Sequence, residues 1–77
     1  MPRYFFNVTD GRSFVDPNGT ELPDVYAAQA RAIQTSGDML RDMAGKFWTG
    51  ESWKMEVHDQ AGRELFTLTF SAQEHLS

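Results

Sequence analysis

Seventy-seven residues carry eleven acidic against seven basic side chains, for a net charge of -4, and no cysteine. A chain of that length is one domain that buries about 60% of the surface its unfolded state exposes, and it has neither disulfides nor thiolate–metal sites to reinforce it. The acidic balance is spread without a block of one sign and disfavours a phosphate-binding surface. No apolar run is long enough for a signal peptide or a membrane span, so a soluble cytoplasmic protein is expected. Six Phe, two Trp and two Tyr raise the area each core residue can bury, and burial between subunits is the remaining route to added stability.

The chain opens with alternation over Arg3 to Thr9, which puts Tyr4, Phe6 and Val8 on one side and Arg3, Phe5, Asn7 and Thr9 on the other. This is a strand whose first set faces the core. Asp10-Gly11 supplies a tight-turn dipeptide, because Gly11 takes a positive φ without steric cost. A short second strand is expected over Arg12 to Val15, ending near Asp16 because Pro17 cannot donate to a sheet ladder. Asp16-Pro17-Asn18-Gly19-Thr20-Glu21 is a turn by composition.

Pro23 to Phe47 is the only segment whose apolar residues recur at helical spacing for several turns. Pro23 suits a first helical position, and Asp24 favours the positive end of the helix dipole. At about 100° per residue, Val25, Ala28, Ala32, Ser36, Met39, Leu40, Met43 and Phe47 share one side, and Tyr26, Ala30, Ile33, Gly37 and Ala44 lie on the adjoining flank. Together they predict one broad buried face, with Arg31, Gln34, Asp38, Arg41 and Asp42 in solvent. Gln29 lies within the apolar arc and is expected to bond a backbone group at the sheet margin. Gly37 is expected to let the helix lie close on a bulky ring. The helix should end near Ala44, with Gly45 and Gly50 at its exit and Lys46 at the negative end of the dipole. At 1.5 Å per residue it spans about 30 Å and overhangs the sheet near Met43 to Trp48, where a second subunit could touch it.

A third strand follows, with Trp53, Met55 and Val57 alternating against Ser52, Lys54, Glu56 and His58. Asp59-Gln60-Ala61-Gly62 is the next turn, with Gly62 at the left-handed position. The fourth strand runs from Arg63 to Phe70; Phe66, Leu68 and Phe70 face the core, and Leu65, Thr67 and Thr69 face away. The pattern predicts an α+β fold in the order ββαββ, a four-stranded antiparallel sheet with one long helix packed on one face. Strand order 2-1-3-4 keeps every neighbour antiparallel; 1-2-4-3 is the alternative. One domain covers 1–77, with an ordered core of about 2–71 and a flexible tail at 72–77.

Met1-Pro2-Arg3-Tyr4-Phe5-Phe6-x-Val8, then Asp10-Gly11, then Gly19-Thr20-Glu21-Leu22-Pro23-Asp24 before an Ala-rich helix, and Val57-x-Asp59-x-x-Gly62-Arg63 before Leu65 and Phe70 together resemble a family of short proteins of unknown function. Its members are found mostly in rhizobia and related alphaproteobacteria. The resemblance covers nearly the whole chain and implies a stand-alone domain in a bacterial cytoplasm. It implies no catalytic, cofactor or metal residue. Many relatives have histidine where this chain has Asn7.

Three candidate chemistries follow from the residues. Asp16, Asn18 and Glu21 around Gly19 are faintly like the opening of a calcium loop, but Pro17 intervenes and the twelfth position is Ala27 where a glutamate is needed. His58 and Glu56 share the outer face of a strand two residues apart, the reach a general base needs, with no serine or cysteine nucleophile at recognisable spacing. Phe5, with Arg3, Lys54 and Arg63 near it, could stack a base of single-stranded nucleic acid on the exposed sheet face, although Glu56 and the net charge oppose it. The more economical use of Phe5, Val15 and Leu65 is self-association through a partly apolar outer patch. Trp48 falls off the main apolar arc and joins them as a candidate contact. The expectation is a non-enzymatic interaction or regulatory domain, a homodimer or a binder of another protein, without cofactor, metal or membrane.

Overall fold

A computed structural model describes residues 2–45, 48 and 52–75. The chain forms β1 (Arg3–Thr9), β2 (Ser13–Phe14), β3 (Thr20–Glu21), α1 (Val25–Asp42), β4 (Trp53–His58) and β5 (Glu64–Phe70). All strand pairings are antiparallel, in the order β2-β1-β4-β5, with β3 also paired to β1. The fold is α+β with one helix on an antiparallel sheet. The count of strands is five, not four, and the order is βββαββ, because Thr20–Glu21, expected as turn, pairs with Tyr4 and Arg3. None of the described helices is long and apolar enough to cross a membrane.

Alternation along the long strands does what period-two patterning requires. The register sets Phe6, Val57 and Phe66 in one cross-strand row and Val8, Met55 and Leu68 in the next. Trp53 faces Phe70 edge-on, ring centroids 5.5 Å apart at 63°, the T-shaped geometry that the ring quadrupoles favour. Tyr4, Val8, Trp53, Met55 and Val57 are buried, with Phe6, Phe66, Leu68 and Phe70 packed around them. Leu65 departs from its expected position. A register shift at Val57/His58 places Phe66 opposite Val57 and Glu64 opposite His58. Leu65 is the extra residue of that bulge and is half-buried against the core instead of facing away.

The helix begins two residues later than the proline signal suggests, at Val25. Asp24 is the N-cap in extended conformation, and its Oδ1 accepts the Ala27 N–H at 2.9 Å, so Pro23 lies outside the helix. At the other end Met43 is the C-cap, its N–H reaching the Leu40 carbonyl at 3.1 Å. Gly45 has no positive φ, so no left-handed glycine stops the helix. Lys46, Phe47 and Gly50 lie outside the described residues.

Only part of the expected broad apolar face is buried. Ala28, Ala32 and Ser36, four residues apart, are fully buried against the sheet, and the Ser36 hydroxyl donates to Met55 Sδ at 3.7 Å. Three short side chains in a row let the helix backbone come close to the sheet, so the contact is narrow. The flank expected to join it, Tyr26, Ala30, Ile33, Gly37 and Ala44, is exposed. Gln29 is exposed too, and no atom comes within 4 Å of where a Cβ on Gly37 would sit. Gly37 therefore approaches no ring.

Substitutions at Ser36 test that narrowness. Ser36→Leu forces the helix off Met55 and should cost about 1–3 kcal/mol. Ser36→Ala, which removes only a weak hydroxyl–sulfur bond, should change stability by less than about 1 kcal/mol. Urea unfolding followed by Trp fluorescence distinguishes the two; equal losses would mean that size at this position does not set the helix–sheet distance.

Candidate functional site

The outer face of the sheet carries the side chains expected to do chemistry. Its rows are Phe5–His58–Glu64, Asn7–Glu56–Thr67 and Thr9–Lys54–Thr69. Glu56 sits between Lys54 and His58, 3.6 Å from Lys54 Nζ and 4.0 Å from His58 Nε2. His58 Nδ1 is 3.4 Å from the Gly62 carbonyl oxygen. The Thr67 hydroxyl donates to Glu64 at 2.6 Å, and this bond above all holds the Glu64 carboxyl below its usual range. Every one of these groups is engaged by a neighbour on the same face. Among the described residues, no three His, Asp or Glu side chains converge as a metal-holding group.

The residues around Asp16 have a structural task. On the edge of β1 away from β4, the partner is β3 at Arg3 and Tyr4 but β2 at Val8 and Thr9. Between them the ladder is interrupted, and Asp16 fills the gap. Its Oδ2 accepts the Phe6 N–H at 3.2 Å while its own N–H donates to Asn7 Oδ1 at 2.9 Å. Its Oδ1 accepts from the N–H groups of Asn18 and Gly19 at 3.2 and 3.0 Å, which closes the turn locally. Glu21 pairs with Arg3 at 2.8 Å. The carboxylates of the faint calcium pattern are thus committed to backbone N–H groups and a guanidinium.

Gly19, at φ +71°, lies against the same edge: a Cβ there would meet Arg3 Cγ at 2.8 Å, the Phe5 ring at 2.9 Å and the Tyr4 carbonyl oxygen at 3.0 Å. The turn therefore covers part of Phe5, which is half-buried. Phe5 and Val15, the latter 74% exposed, line one shallow concavity of about 290 Å³ with Asn7, Asp16, His58 and Asp59. Leu65 is absent from that patch, since the bulge turns it inward, and Trp48 is 53% exposed. A second open groove, about 240 Å³, lies on the helix side between Val8, Phe14, Met39, Met43 and Trp53, with Asp10 and Asp42 also lining it.

Sequence reasoning missed the exposed apolar face of the helix. The spacing places Tyr26 and Ile33 on the buried flank, yet both face solvent. The available signal was steric: one helix side cannot bury both a seam of short side chains and a flank of long ones against the same flat sheet.

What the geometry defines is a small α+β domain whose polar groups serve its own turns and edges and whose helix presents apolar side chains outward. Residues 3–71 match the family model of DUF6894, a domain of unknown function, and the chain belongs to that family. No curated protein and no solved structure matches it. Nothing in these comparisons indicates a specific activity.

Two measurements follow. Asp16→Ala leaves the Phe6 N–H and the turn N–H groups without their acceptor and should cost about 1–3 kcal/mol. Gly19→Ala should cost at least about 2 kcal/mol from left-handed backbone and overlap together. Denaturant midpoints read both, and a neutral Gly19→Ala would mean that the turn does not press on Phe5.

The second concerns acid. Asp59 lies in the β4–β5 turn, where its carboxyl is held below its usual value mainly by the Arg63 backbone N–H, against partial desolvation, with the Arg63 side chain and the Ala61 N–H assisting. The unfolded chain, titrating near 3.9, then binds the proton more readily than the folded one. The stabilisation is complete above that pH and is lost as pH falls through the lower folded value. Asp59→Asn should flatten the acid side of the stability curve below about pH 4; unchanged slopes in acid-titrated thermal melts would refute the assignment.

Proposed function

We propose that this is a small non-enzymatic interaction domain of the cytoplasm, regulatory in character, that works by covering its exposed helix face with a protein partner, either its own copy or another chain. The carrying observation is Tyr26 and Ile33 standing in solvent on α1, one helix turn apart from Ala30 and Gly37, with Leu40 at the same seam. Contiguous exposed apolar surface on a small domain marks a contact site more often than an accident of folding. Val15, Phe14 and Trp48 add further exposed apolar area elsewhere on the molecule.

The outer sheet face supports this reading by what engages its groups. His58 and Glu56 have neighbours on their own strand, and the hydroxyl opposite Glu56, that of Thr67, already donates to the Glu64 carboxylate at 2.6 Å. Phe5 shares its concavity with Asp16 and Asp59, and Glu56 and Glu64 lie on the same sheet face; these carboxylates repel a phosphate chain. A chain with no cysteine also has nothing that requires an oxidising compartment.

The test is recovery of bound protein by the tagged chain after crosslinking in its native cytoplasm, with wild type beside a Tyr26→Glu/Ile33→Glu variant. Wild type should recover itself or another protein in near-stoichiometric amount, and the variant should lose it at least about tenfold. Identical recovery by both would remove the helix face from the function.

A further inference from the structure

Resting on that reading, the occupant of the helix face can be specified. Tyr26, Ala30, Ile33, Gly37 and Leu40 recur along α1 at alternating spacings of four and three, the repeat of a helix–helix seam, and Ala44 continues the spacing in the turn just past the Met43 C-cap. The seam lies roughly a third of a turn around the axis from Ala28, Ala32 and Ser36, which face the protein's own sheet. Tyr26 is 74% and Ile33 57% exposed, Ala30, Gly37 and Ala44 are exposed, and Leu40 is half-buried at the boundary with the core. The seam contains no charged residue. Its flanks carry Ala27, Gln34 and Arg41 on one side and Gln29, Ser36 and Met43 on the other, and Arg41 is paired with Asp38 at 3.0 Å.

Size along this seam alternates strictly: Tyr26, Ile33 and Leu40 are large, and Ala30, Gly37 and Ala44 are small. We infer that α1 pairs antiparallel with α1 of a second copy of this chain, about a two-fold axis passing level with residue 35. In that register Ile33 lies over Gly37 of the other copy and Leu40 over Ala30, while Tyr26 comes level with Ala44, in the turn just past the end of the other helix. Each long side chain meets a notch, and the notch over Gly37 is open space in the single chain. A parallel pair would set Ile33 on Ile33 and Gly37 on Gly37, with crowding alternating with voids. The pattern thus reads the same from either end with large exchanged for small, which is what a surface needs to match its own rotated copy.

Nothing electrostatic opposes the pairing. Arg41 falls beside Ala27 of the other copy, because an antiparallel two-fold pair sets each flank against the same flank, the two helix dipoles run side by side in opposite directions, and Arg31, Asp38 and Asp42 project away from the seam. The contact is also modest. A helix about 27 Å long and about 10 Å wide offers a footprint on the order of 300 Å² per copy, in the size class of weak, reversible association. The pair should therefore form in the high-micromolar range and dissociate on dilution.

Sedimentation equilibrium from about 10 µM to about 1 mM, a span bracketing weak association, tests the pairing on the full chain. Wild type should shift from monomer to dimer, Ile33→Glu should weaken association at least about tenfold with an unchanged thermal midpoint at about 10 µM, where wild type is also monomeric, and Arg31→Ala, on the side away from the seam, should keep it. A monomer throughout, or a dimer that survives Ile33→Glu, overturns the inference. If the crosslinking comparison still shows another protein lost with Tyr26→Glu/Ile33→Glu, the interaction reading stands while this occupant fails. Orientation is read separately, since the chain has no cysteine of its own. Ile33→Cys chains mixed with Gly37→Cys chains should form the mixed disulfide faster than either forms its own, as only facing positions come within bonding reach. Faster self-disulfides would overturn the antiparallel register.

Discussion

The narrow seam of Ala28, Ala32 and Ser36 on the sheet, where Ser36 meets Met55, is the constraint on which the rest of the structure depends. Short side chains at every fourth position bring α1 close to the sheet, and closeness is what buries Met55, Val57 and Trp53 completely. It also limits how much of the helix the sheet can cover. A rod lying close on a sheet touches it along one line, and Tyr26 and Ile33, a third of a turn away, stand in solvent. Burial of the core and exposure of Tyr26 and Ile33 thus have one cause.

The second organising device is the split edge of β1. One strand serves β4 along most of its length on one side, and on the other divides its ladder between β3 and β2. Asp16 substitutes for the missing strand between them, a side-chain carboxylate standing where a backbone carbonyl would be. This ties the turn to the sheet and brings Gly19 down onto Phe5. Polar residues that look available for chemistry in the linear sequence, Asn7 and Asp16 above all, are consumed in holding that edge. The same holds in the β4–β5 turn, where Asp59 gathers the N–H groups of Ala61 and Arg63.

Two opposite faces of the domain therefore differ in kind. The outer sheet face is polar and internally paired, and the helix side is apolar and left open. For a small domain without disulfides, covering such a face with another chain would add apolar burial beyond what the single chain supplies, because its own core is limited by surface-to-volume scaling.

The strands β1, β4 and β5, their inward residues, the glycine turns at Gly11 and Gly62, and the buried seam of the helix were all legible in the residue order, because each follows from a local period or a local φ requirement. Thr20–Glu21 was not, since a two-residue strand has no period and forms only because β1 offers an unpaired edge. The bulge that turns Leu65 inward likewise arises from registering two strands against each other, and nothing within β5 announces it. The sequence by itself determined which helix residues are apolar. Only the tertiary structure decided which of them the sheet covers, because the reach of a flat sheet toward a cylinder depends on how closely the two are packed, and that distance is set across the core by Ser36 and Met55.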